Sequence, residues 1–462
     1  MAGWKNREKT APRSWKRIII IIRFSYQRGI FGFRQYLFFF NRLIMVATSR
    51  LTLENITEAA KKLAGVADLT PLQLNANLSE QYQCNILLKR EDLQVVRSYK
   101  IRGAYNKMSS LSKDILNQGV VCASAGNHAQ GFAFACQKLG VNGKIYMPAV
   151  TPQQKVTKVK KFGKDWVEIV LTGDTFDDAF QEAITYAEAS GKAFIHPFND
   201  SKIIEGQGTV ALEILNQYPH EIDYLIAPIG GGGLIAGCGI VFKTLSPETK
   251  IIGVEPAGAP AMFESLKQDK VVTLSHIDNF VDGAAVKKVG EINFPIVKNT
   301  ISKVVLVDEG KVCHTLLQLY NDEGFVVEPA GTLSIAALDE IKEEIKGKTV
   351  VCIVSGSNND ITRTEEIRER ALLYNGLKHY FIIRFPQRAG ALRDFLNNVL
   401  GPTDDITHFE YTKKNNRDLG PALVGIQVKC KEDYDILLKR MYENGLQFQS
   451  MNESKMLYEL LI

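Results

Sequence analysis

The chain has 462 residues and a formal net charge of +5, from 56 Lys and Arg against 51 Asp and Glu. That length suits two or three domains with room for a large core. With 45% hydrophobic and 23% charged residues, the composition excludes a wholly disordered or fibrous protein.

The first segment of the chain, residues 1–44, carries the whole basic excess. It holds ten Lys or Arg and one acidic residue, so residues 45–462 contain 46 basic and 50 acidic residues. This balance predicts no nucleic-acid partner for the rest of the chain. Between Trp15 and Met45, apolar runs are interrupted by arginines before any of them reaches the length of a membrane span. We expect an extension that lies outside the fold; a membrane-surface anchor and a targeting peptide remain alternatives.

Seven cysteines are scattered along the chain without a CxxC pair. An odd number without that spacing argues against a disulfide framework and against a structural zinc site. We therefore predict free thiols in a reducing compartment, the cytoplasm, and no metal site. The cysteines are Cys84, Cys122, Cys136, Cys238, Cys313, Cys352 and Cys430.

From about Asn85, short apolar runs alternate with amphipathic stretches. Several runs are apolar over four to six residues and end in Gly, Ser or Pro, which is typical of strands buried on both faces of a parallel sheet. Helical patterns such as Thr175–Ser190 lie between them. The alternation predicts an α/β domain whose ligands bind in the loops after the strands. The runs include NILLK, GVVCAS, GKIYMPA, VEIVLT, KAFIHPF, YLIAPIG, IIGVEP and VVCIVSG.

After Asp360 the pattern changes to that of a small α+β module. Residues Thr362–Tyr374 are typical of a charged connecting helix. A strand, an amphipathic helix, a pair of strands around a polar loop and a second helix follow, in βαββα order over about 85 residues. We predict a main domain at residues 45–372 and a C-terminal domain at residues 373–462.

Two polar motifs come early in the α/β domain. The first is SYKIRGA at Ser98–Ala104, in which Lys100 is a candidate reactive lysine. The second is SAGNHAQG at Ser124–Gly131, which directly follows an apolar run. A strand that breaks into Ser, Gly and Asn before a helix exposes backbone donors and the Asn127 amide. Taken alone, a solvated lysine and a capped turn would also explain these motifs.

Two further motifs follow later strands. Four consecutive glycines at Gly230–Gly233 separate the strand YLIAPI from an apolar helix that includes Leu234. Glycine is costly inside an element, so the run indicates a need for backbone freedom and close approach. Exposed N–H groups at such a helix start can wrap a phosphate. The motif SGSNN begins at Ser355 after another apolar strand. A reactive lysine, a phosphate cradle and two polar strand tips together indicate a phosphorylated aldehyde cofactor.

The order and wording of these motifs resemble the fold-type II pyridoxal-phosphate enzymes, most closely the biosynthetic threonine dehydratases (threonine deaminases). The resemblance runs from about Leu53 to the C-terminus and includes HPF at His196–Phe198, EGQGT at Glu205–Thr209 and DGAAV at Asp282–Val286. Two differences are Tyr99, where the family usually has Phe, and SGSNN in place of SGAN. The implied fold is a tryptophan synthase β-like α/β domain with open parallel sheets, followed by one small ACT-like α+β regulatory domain.

The resemblance implies a role for each motif. Lys100 would form the Schiff base with pyridoxal phosphate and act as the general base at the substrate Cα. Asn127 would hydrogen-bond the phenolic oxygen of the cofactor. Ser355 would face the pyridine nitrogen, and this neutral partner favours elimination over transamination. The phosphate would be held by the backbone amides of Gly230, Gly231, Gly232, Gly233 and Leu234.

The implied reaction is the deamination of L-threonine to 2-oxobutanoate and ammonia, the first step of isoleucine biosynthesis. L-serine is expected as a side substrate, because the loss of one methyl group changes binding by only ~1–3 kcal/mol. The resemblance also implies a homotetramer, isoleucine as the effector of the ACT-like domain, and no membrane partner. The most recognisable stretch of that domain is RFPQRAGALRDFL at Arg384–Leu396.

Several alternatives stay open. An L-serine dehydratase or another fold-type II lyase would share most motifs. A racemase is disfavoured, because it needs a second acid or base where this chain has Ala125. A cysteine or threonine synthase would share Lys100 but has characteristic substrate loops that are not seen. A non-catalytic amino-acid sensor would not need Lys100, Asn127 and Ser355. The C-terminal module could also serve stability or oligomerisation.

Overall fold

The computed structural model describes residues 51–411 and 418–452. The chain divides into two compact units, residues 1–56 and residues 57–462. The predictions for residues 1–44, and for the middle of the polar loop near the C-terminus, lie outside the described residues. Within the described ranges, no helix is both long and apolar enough to cross a membrane.

The largest sheet has six strands in the order β1-β2-β10-β7-β8-β9. Strand β1 pairs antiparallel with β2, and all other neighbours are parallel. Strands β7 and β10 are buried along their whole length, which confirms the prediction of a sheet covered on both faces. The strands are β1 Leu72–Leu74, β2 Asn85–Arg90, β7 Tyr224–Pro228, β8 Lys250–Pro256, β9 Lys303–Val307 and β10 Thr349–Val354.

A second parallel sheet has four strands in the order β5-β4-β3-β6. Strand β6 has only two residues, although the run KAFIHPF predicted a longer one. The run cannot continue as a strand because Pro197 has no N–H to donate to a ladder. The strands are β3 Val120–Ala123, β4 Gly143–Met147, β5 Val167–Leu171 and β6 Ala193–Phe194.

Helices connect the strands, as expected for an α/β fold. The predicted helix at Thr175–Ser190 is confirmed as α7, which begins with a capping box between Thr175 and Asp178. The helices up to the connector are α1 Leu53–Leu63, α2 Ala76–Tyr82, α3 Lys100–Ser109, α4 Lys113–Gln118, α5 Asn127–Leu139, α6 Gln153–Gly163, α7 Phe176–Ser190, α8 Ser201–Gln217, α9 Gly233–Leu245, α10 Ala261–Lys267, α11 Asn293–Thr300, α12 Glu309–Glu323, α13 Pro329–Ala336, α14 Lys342–Ile345 and α15 Thr364–Tyr374.

The C-terminal residues form an antiparallel sheet of their own, in the order β12-β13-β11-β14. The predicted βαββα order is confirmed, and a short edge strand follows it. Phe381, Val424 and Leu437 are fully buried in a separate apolar core. The elements are β11 Lys378–Pro386, α16 Ala391–Asn398, β12 Asp405–Tyr411, β13 Leu419–Gln427, α17 Lys431–Glu443 and β14 Gln447–Ser450.

The seven cysteines are all free thiols, and six of them are buried. Cys430 is the exposed one. The prediction that the fold has no disulfide framework is confirmed. The fold is instead stabilised by the packing of apolar side chains around the parallel sheets. A free cysteine in such a core behaves as a small apolar side chain.

Candidate active site

Two of the predicted motifs run side by side in the structure. The Tyr99 N–H donates to the Ser355 carbonyl at 3.3 Å, and the Ser357 N–H donates to the Arg97 carbonyl at 2.9 Å. The residues that lead into Lys100 are therefore paired with the loop that follows β10. This pairing joins motifs that lie more than 250 residues apart in the sequence.

Lys100 is the first residue of helix α3, and its ammonium group is partly buried. The Nζ donates to the Pro197 carbonyl at 3.2 Å. Burial lowers the pKa of Lys100 to about 8, although the nearby Glu328 carboxylate acts in the opposite direction. A substantial neutral fraction at physiological pH makes this lysine a competent nucleophile or base.

Helix α5 packs closely against the start of α3. A Cβ on Gly131 would lie 3.1 Å from the carbonyl carbon and oxygen of Lys100, so only glycine permits this approach without displacement. Asn127 lies one turn earlier on the same face of α5. The Asn127 amide and the Lys100 amine therefore stand at the starts of two helices that touch.

The amide of Asn127 is held on both sides. Its Nδ2 donates to Glu328 Oε1 at 2.6 Å, and its Oδ1 accepts from Asn358 Nδ2 at 2.7 Å. Glu328 is buried, and burial raises its pKa to about 7. The sequence analysis assigned no role to Glu328. An acidic residue between the apolar run FVV and the helix start PAG was the available signal.

The four glycines lie between β7 and α9, as predicted. Gly232 has a φ of +90°, in the left-handed region that favours glycine. A Cβ on Gly231 would lie 2.1 Å from the Phe198 ring, so this ring fills the space of a side chain. The Gly231 carbonyl accepts from Asn293 Nδ2 at 2.6 Å, which fixes the loop. The sequence analysis did not identify Asn293 as part of the site.

The loop after β6 connects Lys100 to the glycines. His196 Nδ1 accepts the N–H groups of Phe198 at 3.2 Å and Asn199 at 2.9 Å. Burial lowers the pKa of His196 to about 4, so the ring is neutral at physiological pH. Pro197 of this loop contacts Lys100, and Phe198 contacts Gly231, so the loop spans the two motifs.

Ser355 lies buried at the end of β10, and its hydroxyl donates to the Ala330 carbonyl at 3.2 Å. Asn127 follows β3, and the glycines follow β7, so each motif stands at the carboxyl end of a parallel strand. The predicted positions Lys100, Asn127, Gly230–Gly233, Leu234 and Ser355 thus belong to one continuous group of contacts.

Comparison with known proteins identifies the family. Residues 65–356 match the family described as pyridoxal-phosphate dependent enzyme, and residues 369–461 match the C-terminal regulatory domain of threonine dehydratase. The chain is 59% identical over 413 residues to L-threonine dehydratase biosynthetic IlvA of Halalkalibacterium halodurans, covering 89% of this chain and 100% of that protein. The chain belongs to the threonine dehydratase family of pyridoxal-phosphate enzymes. The predicted resemblance is confirmed.

Three further proteins are similar to this chain. The protein of the same name from Bacillus subtilis is 55% identical, covering 91% of this chain and 99% of that one. The processed threonine deaminase isoform 2 of Solanum lycopersicum matches with a TM-score of 0.66 and 41% identity over 69% of this chain and 88% of that one. Maize serine racemase matches with a TM-score of 0.65 and 30% identity over 71% of this chain and 99% of that one.

Pyridoxal phosphate is the cofactor of this family, and the residues of the site fit it. Lys100 offers an amine with a lowered pKa to an aldehyde. The glycines offer a stretch of backbone without side chains at the N-terminus of α9, where N–H groups are left unsatisfied by the helix. The Asn127 amide and the buried hydroxyl of Ser355 offer neutral polar partners.

Proposed function

We propose that this chain removes ammonia from L-threonine and yields 2-oxobutanoate, as the first committed step towards isoleucine. The observation that best supports this proposal is the partly buried Lys100 amine with a lowered pKa, which donates to the Pro197 carbonyl of the loop that reaches the glycines. The relatives named L-threonine dehydratase, at 59% and 55% identity, support the choice of substrate.

Lys100 has two tasks in this proposal. It would hold the cofactor covalently at rest, and once the substrate amine has displaced it, the freed Lys100 amine would take the proton from the substrate Cα. Bound pyridoxal phosphate supplies the electron sink that stabilises negative charge at that carbon. A lysine whose pKa is about 8 suits a general base, because both of its protonation states are populated near neutral pH.

The remaining site residues bind and orient. The backbone N–H groups of Gly230, Gly231, Gly232, Gly233 and Leu234 would hold the phosphate at the start of α9. Asn127 would donate to the phenolic oxygen. Ser355 would turn its single hydroxyl proton from the Ala330 carbonyl to the pyridine nitrogen, and a hydroxyl can donate to a neutral nitrogen without transferring the proton to it.

Replacement of Lys100 tests this assignment. We expect Lys100→Ala to abolish both the visible absorbance of the bound cofactor and keto-acid production from threonine, because alanine has no amine to bond the cofactor or to take the proton. Lys107→Ala is the matched control: Lys107 lies on the same helix and pairs with Asp200 at 2.7 Å. The control should keep the absorbance and most of the activity. If Lys100→Ala retained both properties, the assignment of this lysine would be wrong.

The proposal also covers the domain boundary, the effector, the oligomeric state and the compartment of this protein. We infer a division near residue 373, with a catalytic domain at residues 45–372 and a regulatory domain at residues 373–462 that binds isoleucine. A cytoplasmic homotetramer, with L-serine as a side substrate, completes the proposal. Support comes from the separate C-terminal sheet, from its match to a regulatory domain, and from the free thiols, which suit a reducing compartment.

A further inference from the structure

The orientation of the Asn127 amide is determined by a chain of hydrogen bonds. It starts at the Val96 carbonyl, which can only accept, and which accepts from Asn358 Nδ2 at 2.9 Å. Since Asn358 Nδ2 also faces Asn127 at 2.7 Å, the Asn127 atom on that side must be the acceptor Oδ1. The amide nitrogen of Asn127 must then point away from Asn358.

On the nitrogen side of Asn127 stands the Glu328 carboxylate, at 2.6 Å. The second oxygen of Glu328 accepts the Asn358 N–H at 3.1 Å, so both oxygens act as acceptors. An exchange of nitrogen and oxygen in Asn127 would set two NH₂ groups against each other and, when Glu328 is ionised, an amide oxygen against a carboxylate. Because lost hydrogen bonds are costly among buried groups, the Asn127 amide keeps a single orientation, with its nitrogen towards Glu328.

The fold makes room for Glu328 at this point. A Cβ on Gly356 would lie 2.4 Å from Glu328 Oε1, and a Cβ on Gly283 would lie 3.4 Å from the same oxygen. Both glycines belong to motifs of the sequence, SGSNN and DGAAV. The absence of a side chain at these two glycines therefore leaves the space that the Glu328 carboxylate occupies.

We propose that Glu328, together with Asn358, is a positioning residue that fixes the Asn127 amide so that its second N–H donates to the ring oxygen of the cofactor. An amide nitrogen carries two hydrogens. One is used by Glu328, and among the described residues the nitrogen makes no other hydrogen bond. Glu328 acts through Asn127 and not on the substrate. This inference rests on the proposed function, because it needs pyridoxal phosphate to be bound at Lys100.

A double-mutant cycle on the full-length holoenzyme tests the inference. The dissociation constant of pyridoxal phosphate is measured by serial dilution, with the visible band as the readout, for Glu328→Gln, Asn127→Ala and the double variant. We expect each single change to raise the dissociation constant about tenfold, the effect of one charge-assisted hydrogen bond. We expect the double variant to resemble Asn127→Ala, because Glu328 has nothing left to orient. The two single variants should also share the same displacement of the visible band.

Two further variants separate positioning from folding. Glu369→Gln is the matched control, since Glu369 is also a buried glutamate with two donors but lies in α15; its dissociation constant should be unchanged. Asn358→Asp keeps Glu328 but places a carboxylate oxygen, an acceptor, opposite Asn127 Oδ1. It should therefore raise the dissociation constant of pyridoxal phosphate about as much as Glu328→Gln does. It also provides the test if Glu328→Gln does not fold.

The outcomes are distinguishable. Non-additive losses in the cycle, with an unchanged Glu369→Gln variant, would support the positioning role. Additive losses of about a hundredfold in the double variant, or an unchanged dissociation constant in Asn358→Asp, would overturn it while the proposed function stands. Absence of a visible band in the unaltered chain would overturn the proposed function, and the positioning role with it.

Discussion

The chemistry of Lys100 depends on its surroundings. An exposed lysine with a pKa near 10.4 is neutral in roughly one molecule of several thousand at pH 7. Burial lowers the pKa of Lys100 to about 8, so roughly one molecule in ten carries a neutral amine at that pH. The charge of Glu328 limits this decrease, because a nearby anion favours the protonated ammonium.

The lowered pKa of Lys100 predicts a pH dependence. Only the neutral amine reacts with an electrophile, so in the chain freed of cofactor the rate of acetylation of Lys100 by acetic anhydride should rise with pH and level off above about 8. Peptide mapping after competitive labelling measures this rate. Free N-acetyl-lysine is the reference compound, and its rate should rise until about pH 10.4. A Lys100 that follows the reference compound would contradict the assignment.

At the scale of elements, a buried ionic network holds the start of helix α3. Arg102 is 1% exposed and donates to both oxygens of Glu91 at 2.8 Å and to Glu213 on helix α8 at 2.6 Å. Burial alone would raise the pKa of Glu91, but the charges of Arg102 and Lys89 hold it below the ordinary value. Close packing accompanies the network, since a Cβ on Gly206 of α8 would lie 2.5 Å from the Arg102 carbonyl.

Removal of one partner from this network should destabilise the fold. We expect Glu91→Gln to lower the free energy of unfolding by about 3 kcal/mol, because it leaves part of the Arg102 charge uncompensated in the interior. Chemical unfolding of the full-length chain measures the change. Glu58→Gln is the control, since Glu58 pairs with Lys61 at 3.3 Å on the surface and should matter little. Equal stability of the two variants would show that the buried network does not hold α3.

The elements were easier to predict from the sequence than their contacts. Runs such as VVCIV identify buried strands because a strand covered on both faces needs apolar side chains at every position. The motifs identify Asn127 and the glycines, which stand just after strands, and Lys100, which begins a helix, because polar or flexible residues stand out beside apolar runs. Glu328 was not predicted, since its partner Asn127 lies 201 residues away and only the fold brings them together. Asn293 was missed for the same reason, 62 residues from Gly231.

At the scale of the whole molecule, helix α15 connects the site to the C-terminal sheet. Glu369 of α15 accepts from Lys378 and Tyr380 of β11, with the Tyr380 hydroxyl at 2.7 Å. The next residue, Arg370, lies over the Phe280 ring at 4.2 Å. Phe280 is four residues before Ala284, whose backbone lies against Gly230. A shift of β11 could therefore reach the glycines through packed groups, provided that the two states differ in their affinity for an effector.

This connection predicts a variant with altered regulation. The proposed effector is isoleucine, and on that proposal we expect Glu369→Gln to raise the isoleucine concentration needed for half inhibition by about fivefold or more, because it breaks the buried link between α15 and β11. Threonine deamination without isoleucine should be unchanged, since the change lies outside the catalytic site. Glu365→Gln, an exposed position on the same helix, is the control and should behave like the unaltered chain. Normal inhibition of the Glu369 variant would show that α15 does not carry the coupling through this residue.

The charge distribution agrees with a metabolic enzyme once residues 1–44 are set apart, since residues 45–462 have a small acidic excess and contain every motif of the site.

The central claim is that this site deaminates threonine. The most direct measurement is keto-acid formation by the purified full-length chain with L-threonine, L-serine and O-acetylserine. We predict the highest kcat/KM for threonine, with 2-oxobutanoate as the product, and a value for serine that is lower by roughly 10–200-fold. A preference for O-acetylserine, or no keto acid from threonine, would contradict the account.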